Sequence, residues 1–228
     1  AMILAAGYGK RLRPLTDKIP KPMVPVAGKP LLQHHIERLA AVGITDVVIN
    51  VSWLSEKIES FFGDGSSFGI NITWSREPEP LETGGGILKA LPLLGDNPFL
   101  LINGDIWTDF SLQEAKDLLL APKQSAWLLL VNNPKHNPEG DFGLQDNLVH
   151  YGSNLNYTYS GISIFKPELF VDYPQNHMEA YCFPLRDVLR PAIEGDAVIG
   201  SVYSGKWCDV GTVHRYKQLN KNLDSPNE

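Results

Sequence analysis

The 228-residue sequence has few cysteines and no long apolar run. Cys182 and Cys208, its two cysteines, stand far apart and form no CxxC pair, which disfavours a thiol redox centre and favours a reducing cytoplasm. No apolar stretch approaches the roughly 20 residues that a membrane-spanning helix requires. The formal net charge of −6 disfavours extensive nucleic-acid binding. We therefore expect a cytoplasmic globular protein with no membrane or nucleic-acid partner.

Several well-known catalytic and nucleotide-binding motifs are also missing. No Gly-x-Ser-x-Gly elbow is present, which excludes the usual serine hydrolase pattern. The dinucleotide fingerprint fails because Leu12 stands where its third glycine should be, and the P-loop fails because Gly28–Lys29 is followed by Pro30. His34 and His35 would point in different directions on a helix, and the other histidines are isolated, so none is a candidate catalytic residue.

The stretch Leu4–Thr16, by contrast, carries two glycines and three positive charges directly after an apolar run. Glycine allows close approach of the backbone to a ligand, and successive N–H groups of such a loop can form a nest for an anion. Arg11 adds a planar fork that matches phosphate oxygens, and Lys21 lies between prolines that restrict the backbone. The stretch is either a plain turn or, as the charges favour, a cradle for a triphosphate.

Two aspartates stand where a hard cation could bind. Asp105 ends the run Asn103-Gly104-Asp105 after an apolar segment, and Asp209 lies in Trp207-Cys208-Asp209-Val210-Gly211-Thr212. Both patterns also suit structural roles, a turn for the first and a helix cap for the second. Mg²⁺ in proteins usually takes one or two carboxylates together with substrate phosphates and water, so the pair could supply its protein ligands.

Apolar periodicity predicts alternating strands and helices through the first 130 residues. This alternation predicts an α/β fold with a doubly wound, mixed but mostly parallel sheet, in which ligands bind beyond the carboxyl ends of the strands. We expect one domain over 1–228, with a first half at 1–131, a second half at 132–223 and a loose tail at 224–228. The predicted strands are 2–5, 46–51, 70–74, 99–103, 127–131, 142–150, 157–165 and 197–203. The predicted helices are 31–42, 53–62 after a Ser52 cap, 111–120 with a capping box, 184–194 and 213–222, and residues 83–94 are predicted as a glycine-rich loop that runs into a helix.

The combined motifs resemble one enzyme family. The string Gly-x-Gly-x-Arg-Leu-x-Pro-Leu-Thr, followed by Lys-Pro-Met, Asn-Gly-Asp and Trp-x-Asp-x-Gly-Thr in that order, resembles the signatures of the sugar-1-phosphate nucleotidyltransferases. The resemblance is strong over residues 2–110 and 207–212. It implies a Rossmann-like nucleotidyltransferase fold with a small sugar-side β flap, and transfer of a nucleotidyl group from an NTP to a sugar 1-phosphate with release of pyrophosphate. The half at 1–131 would bind the nucleotide, and the half at 132–223 would bind the sugar and metal. The partners would then be small molecules and the cofactor Mg²⁺.

The segment Leu81-Glu82-Thr83-Gly84-Gly85-Gly86 and the short chain resemble the N-acetylmuramate-1-phosphate uridylyltransferases of peptidoglycan recycling in the cell wall. This closer resemblance implies UTP as the donor. The three glycines would offer free N–H groups at the start of a helix. A carboxylate at Glu82 could accept a hydrogen bond from uracil or from guanine, and so does not by itself decide the base.

The resemblance assigns a role to each matching position. The catalytic residues would be Arg11 and Lys21, and the Mg²⁺ ligands Asp105 and Asp209. Gly143 and Gly161 would contact the sugar. The nucleotide would be bound by Leu4, Ala6, Gly7, Gly9, Arg11, Glu82, Gly85 and Asn103.

The second half departs from the family pattern, because no Glu-Lys-Pro triad occurs between Phe142 and Phe165. The sugar-phosphate contact would fall to Lys21, to the metal or to another residue. The alternatives are a guanylyltransferase for a mannose- or heptose-type 1-phosphate, a cytidylyltransferase for a non-sugar phosphate, and a non-catalytic nucleotide-sugar-binding homologue. The last is disfavoured because both basic residues and both acids are present. We expect a monomer because the chain is small and lacks a β-helix domain. We also expect native residues ahead of Ala1, because the sequence begins directly at the first predicted strand.

Overall fold

The computed structural model describes residues 1–152, 154–171 and 182–224. In chain order the strands are β1 (Met2–Leu4), β2 (Pro25–Val26), β3 (Lys29–Pro30), β4 (Asp46–Val51), β5 (Asn71–Arg76), β6 (Phe99–Asn103), β7 (Ile106–Thr108), β8 (Ala126–Asn132), β9 (Gly143–Gln145), β10 (Leu148–His150), β11 (Tyr157–Phe165), β12 (Val198–Tyr203) and β13 (Trp207–Asp209). The helices are α1 (Leu31–Ala41), α2 (Ser55–Phe62), α3 (Glu82–Leu94), α4 (Leu112–Lys116), α5 (Glu168–Val171), α6 (Leu185–Glu194) and α7 (Val213–Asp224). Within these ranges no helix has the length and apolar content to cross a bilayer.

The chain divides into two compact units. The first contains Ala1–Pro80, Asn103–Asp109 and Trp207–Glu228, and the second contains Leu81–Ile102 and Phe110–Lys206. This division differs from the predicted halves 1–131 and 132–223, and the single domain over 1–228 stays a prediction. The predicted loose tail falls, beyond residue 224, outside the described residues.

In the first unit, β1 pairs in parallel with β4, and β4 pairs in parallel with β5. Most apolar side chains of these strands are buried, and α1 buries Leu32, Ile36 and Leu39 on one face. β7 and β13 form a separate antiparallel ribbon in the same unit. Val26, Leu31, Val210 and Leu219 form a buried cluster that joins α7 to this part of the chain.

In the second unit the strands run in the order β6, β11, β8, β12, β10 and β9. β12 is parallel to β8, whereas β11 is antiparallel to both β6 and β8, and β10 is antiparallel to β12 and β9. The predicted α/β class with a mixed sheet is therefore confirmed. In the first unit β1, β4 and β5 pair in parallel, whereas β7 with β13 and β2 with β3 pair antiparallel. In the second unit β11 and β10 pair antiparallel with their neighbours.

Several predicted elements have different bounds in the structure. Residues 142–150 form the hairpin β9–β10 rather than one strand, because Asp146 and Asn147 adopt positive φ angles of 51° and 67°, as a tight two-residue turn requires. The Ser52 cap was wrong, since α2 begins at Ser55. The capping box at Ser111 was also wrong, since its side chain makes no cap hydrogen bond and α4 ends at Lys116.

His35, on the buried side of α1, makes stability dependent on pH. It is 1% exposed, and burial, aided by the charge of Arg38, lowers its pKa to about 3. The unfolded chain, with a histidine pKa near 6.5, takes up a proton below pH ~6.5 that the native chain does not, so stability falls as pH falls. We expect His35 to remove about 1.4 kcal/mol of unfolding free energy per pH unit between about pH 6 and pH 4.

Urea unfolding at pH 7.5, 5.5 and 4.5 tests this expectation. His35→Leu should flatten the pH dependence, whereas His214→Gln, which alters an exposed histidine on α7, should leave it unchanged. Equal slopes for wild type and His35→Leu would contradict the assignment.

Candidate active site

The loop after β1 is fixed by the glycine at position 9. Gly9 has φ +64°, and a Cβ built there would lie 2.9 Å from Thr16 Cγ2 and 3.1 Å from Lys21 Cβ. The Thr16 hydroxyl donates a 2.8 Å hydrogen bond to the Gly9 carbonyl. Conformation and close packing therefore both favour glycine here. The packing of Gly9 against Lys21 also holds the predicted phosphate loop against the segment that carries this lysine.

A buried polar network anchors the start of this loop. The Ala5 N–H donates to Asn50 Oδ1 at 2.7 Å, and Asn50 Nδ2 donates to Glu77 Oε1 at 2.7 Å. Asn50 and Glu77 are 3% and 4% exposed. Neither residue was predicted from the sequence, although a polar residue inside the apolar run Val47–Val51 and an acid directly after a strand are signals that could have indicated them.

Asp105 lies beside β1 in the same unit. The Gly104 N–H donates to the Leu4 carbonyl at 2.8 Å, and a Cβ on Gly104 would lie 2.5 Å from that carbonyl oxygen. The backbone at Gly104 can approach β1 only because the residue has no side chain. The Asn-Gly-Asp sequence is thus more than a turn, since its glycine sets the acid next to the end of β1.

Lys21 and Asp105 form an ion pair. Lys21 Nζ donates to Asp105 Oδ2 at 2.5 Å, and the side chains are 11% and 37% exposed. Burial raises the pKa of Asp105, but the charges of Lys21 and Arg11 and the Lys21 hydrogen bond outweigh it and hold the pKa below its ordinary value. The carboxylate therefore stays ionised at neutral pH with an ammonium group at one of its oxygens.

The ribbon of β7 and β13 brings the two predicted acids together along the backbone. Ile106 is the Cα partner of Asp209, and the Val210 N–H donates to the Asp105 carbonyl at 2.8 Å. Asp209 Oδ2 accepts a 2.9 Å hydrogen bond from Arg215 on α7. Each acid thus has a cationic side chain as a partner, and the sequence predicted neither the ribbon nor the role of Arg215.

The donor set of this region suits a hard divalent cation. Asp105 and Asp209 supply carboxylate oxygens, and the buried Oδ1 of Asn103 has no hydrogen-bond partner among the described residues. Oxygen donors of this kind, with phosphate and water completing the shell, are what Mg²⁺ prefers. No group of three or more His, Cys, Asp or Glu residues suited to a metal occurs in the described ranges.

The glycine-rich start of α3, in the second unit, does not offer the free N–H groups predicted for it. The N–H groups of Gly84 and Gly85 donate to the Phe183 carbonyl at 3.0 and 3.2 Å. A Cβ on Gly84 would lie 2.3 Å from the Phe183 ring. These glycines therefore accommodate Phe183, and Gly85 could contact a base only through its Cα or carbonyl. Glu82 is exposed and holds φ at +58°, a conformation that disfavours most side chains.

The two predicted sugar-binding glycines also lie in the second unit. Gly143 pairs with His150 across the hairpin, and a Cβ there would lie 2.1 Å from the imidazole ring, which is a structural reason for glycine. Gly161 has φ +86° where the pairing of β11 with β8 is irregular, between Tyr159 and Ser163. A sugar contact at either residue stays a prediction.

The predicted residues thus fall into two groups. Glu82, Gly85, Gly143 and Gly161 belong to the second unit, and their contacts with substrates stay predictions. The first unit holds all the others, which are Leu4, Ala6, Gly7, Gly9, Arg11, Lys21, Asn103, Asp105 and Asp209.

Comparisons with known proteins agree with this picture. Residues 1–147 match the family described as Nucleotidyl transferase. The N-acetylmuramate alpha-1-phosphate uridylyltransferase of Neisseria meningitidis is 47% identical over 226 residues, covering 96% of this chain and 95% of that protein. A mannose-1-phosphate guanyltransferase of Gibberella zeae is 32% identical over 100% of this chain and 68% of its own.

The fold is shared with solved structures. A protein assigned as a glucose-1-phosphate thymidylyltransferase from Bacillus anthracis, solved with sucrose, superposes with a TM-score of 0.86 at 21% identity. The similarity covers 100% of this chain and 96% of that one.

Proposed function

We infer the function from the premise that this chain belongs to the nucleotidyl transferase family. We propose that it transfers a uridylyl group from UTP to a sugar 1-phosphate, N-acetylmuramate 1-phosphate in particular, and releases pyrophosphate. The Lys21–Asp105 ion pair is the observation that carries the proposal, because it places charges suited to phosphates at the end of β1. Asp209 lies on β13, which pairs with the strand that follows Asp105. The relative at 47% identity supports the choice of donor and acceptor.

The proposed chemistry needs no general base. A phosphate monoester has a second pKa near 6, so a sugar 1-phosphate is already a dianion at neutral pH. One of its oxygens forms a bond to the α-phosphorus of UTP while the bond from that phosphorus to the β-phosphate oxygen breaks. The electron pair leaves with pyrophosphate. The work of the protein is positioning and charge neutralisation.

The side chains of the first unit have distinct roles in this proposal. Lys21 binds a phosphate oxygen at the reacting centre, which requires it to shift from or share its contact with Asp105. Arg11, exposed on the loop, holds the β- and γ-phosphates with the backbone N–H groups of the glycine loop.

The other predicted residues of the first unit also contact the substrates in this proposal. Leu4, Ala6, Gly7, Gly9 and Asn103 line the nucleotide. Asp105 and Asp209 would hold Mg²⁺, which when bound neutralises charge on the reacting phosphates.

In the second unit we propose that Glu82 and Gly85 contact the base and that Gly143 and Gly161 contact the sugar. Glu82 is the stronger base candidate, because it presents an exposed carboxylate from a backbone conformation that few side chains adopt. We also propose that the chain acts as a monomer in the cytoplasm, where cysteine thiols such as those of Cys182 and Cys208 stay reduced.

Pyrophosphate release measured for four NTPs against several sugar 1-phosphates with Mg²⁺ tests the function. The highest rate should come from UTP with N-acetylmuramate 1-phosphate. A higher rate from GTP with mannose 1-phosphate would favour the guanylyltransferase function, which the 32% identity over the whole chain makes the second candidate. No release from any pair would contradict both.

A further inference from the structure

Arg215 holds the second acid of the site from the first turn of α7. Its Nη2 donates to Asp209 Oδ2 at 2.9 Å, and the two side chains are 15% and 22% exposed. The Thr212 hydroxyl accepts the Arg215 backbone N–H at 3.3 Å, as a residue capping the start of a helix does. The start of the helix therefore fixes the Arg215 backbone from which the side chain extends.

Gly211 leaves the space that this ion pair occupies. A Cβ at position 211 would lie 2.2 Å from Arg215 Nη2 and 2.7 Å from Asp209 Oδ1. Any side chain there would displace the guanidinium, the carboxylate or both. The segment Asp209–Arg215 thus combines an acid, a glycine without bulk, a capping threonine and an arginine in a single compact arrangement.

A guanidinium beside a cation ligand has two opposite effects. Its charge repels a divalent cation and by itself weakens cation binding. Its hydrogen bond orients the carboxylate, which has about four lone-pair sites and can be held at one oxygen while it coordinates through others. Partners that orient the ligands of a metal typically contribute about 10- to 100-fold to metal affinity, so the sign of the net change in affinity shows which of the two effects prevails.

We propose that Arg215 is a positioning residue that orients Asp209 for a divalent cation. This inference rests on the proposed function, in that Asp209 is taken as a ligand of Mg²⁺. It assigns to Arg215 a favourable effect on cation binding despite its like charge. A purely electrostatic role would give an effect of the opposite sign.

Mn²⁺ titration of the substrate-free protein, followed by electron paramagnetic resonance, separates these two roles. Arg215→Met should raise the Kd for Mn²⁺ by about tenfold. Arg215→Lys keeps the charge and a group that can donate a hydrogen bond to Asp209, so its Kd for Mn²⁺ should stay within about threefold of the wild-type value. Lys217→Met removes an equal charge from an exposed position two residues further along α7 and should leave the Kd unchanged. An unchanged or lower Kd in Arg215→Met would overturn the proposal.

Gly211→Ala provides a second route, because it displaces the ion pair while Arg215 is kept. It should raise the Kd for Mn²⁺ as Arg215→Met does, and wild-type affinity in a folded Gly211→Ala protein would overturn the proposal even if Arg215→Met fails to fold. Asp209→Asn distinguishes the two levels of inference. If Asp209→Asn leaves Mn²⁺ binding unchanged, the metal role of Asp209 and the role of Arg215 both fail. If Asp209→Asn alone weakens binding, only the role of Arg215 fails.

Discussion

Asp105→Asn is expected to lower the rate of nucleotidyl transfer by about 10³-fold. Asparagine keeps the size of the side chain and loses its charge, so it removes a ligand charge for Mg²⁺ and the partner of Lys21, whose Nζ lies 2.5 Å from the carboxylate. Pyrophosphate release at saturating UTP and sugar 1-phosphate, with Mg²⁺ varied, measures the effect. Asp109→Asn, at an exposed aspartate on the same segment, should retain wild-type activity.

A measurement of folding separates a loss of catalysis from a loss of structure in Asp105→Asn. Lys21 is 11% exposed and loses its carboxylate partner in Asp105→Asn, so some loss of stability is expected along with the loss of activity. Thermal melts followed by circular dichroism would show whether the variant is folded at the assay temperature. A folded Asp105→Asn enzyme with more than a tenth of wild-type activity would contradict the role assigned to this acid.

Lys21→Met is expected to lower kcat by about 10²- to 10³-fold. Methionine fills a similar volume and removes the ammonium group that the proposal places on a phosphate oxygen in the reaction. Because that contact strengthens as charge shifts toward the leaving group, the loss should fall mainly on kcat rather than on KM. Steady-state kinetics with UTP varied separate the two parameters.

Lys18→Met is the matched control for Lys21→Met. Lys18 is exposed three residues earlier, and the observed contact there is made by its backbone carbonyl, which accepts a hydrogen bond from Lys57. Its activity should match wild type. A rise in KM for UTP at unchanged kcat in Lys21→Met would show that Lys21 only binds the ground state, against the role proposed here.

Local patterns predicted the parts of the site that each lie within one short segment. The glycine loop, Lys21 and Asn-Gly-Asp could be identified because glycine, proline and charge mark them directly in the sequence. The strands β1, β4 and β6 could be predicted because each is an apolar run of suitable length. The fold class followed from the alternation of such runs with helical periods.

Features that depend on distant pairings could not be predicted in this way. β7 and β13 have three residues each, too few for a period, and their pairing joins positions about 100 residues apart. The Phe183 carbonyl captures the N–H groups of Gly84 and Gly85 from a similar distance along the chain. The start of the last helix at residue 213 was predicted, but Arg215 could not be assigned because its role depends on the hydrogen bond of its side chain with Asp209, which forms only in the folded chain.

The first unit has segments at both ends of the described chain, which are therefore synthesised at different times. Its third stretch begins at Trp207, after all the residues of the second unit. Because synthesis proceeds from the N-terminus at about 5–20 residues per second, the glycine loop, Lys21 and Asp105 leave the ribosome before Asp209 exists. A nascent chain that stops short of β13 carries the basic half of the site without its second acid. Synthesis of the segment from Trp207 onward therefore supplies the second acid only after the other predicted residues of the site have been made.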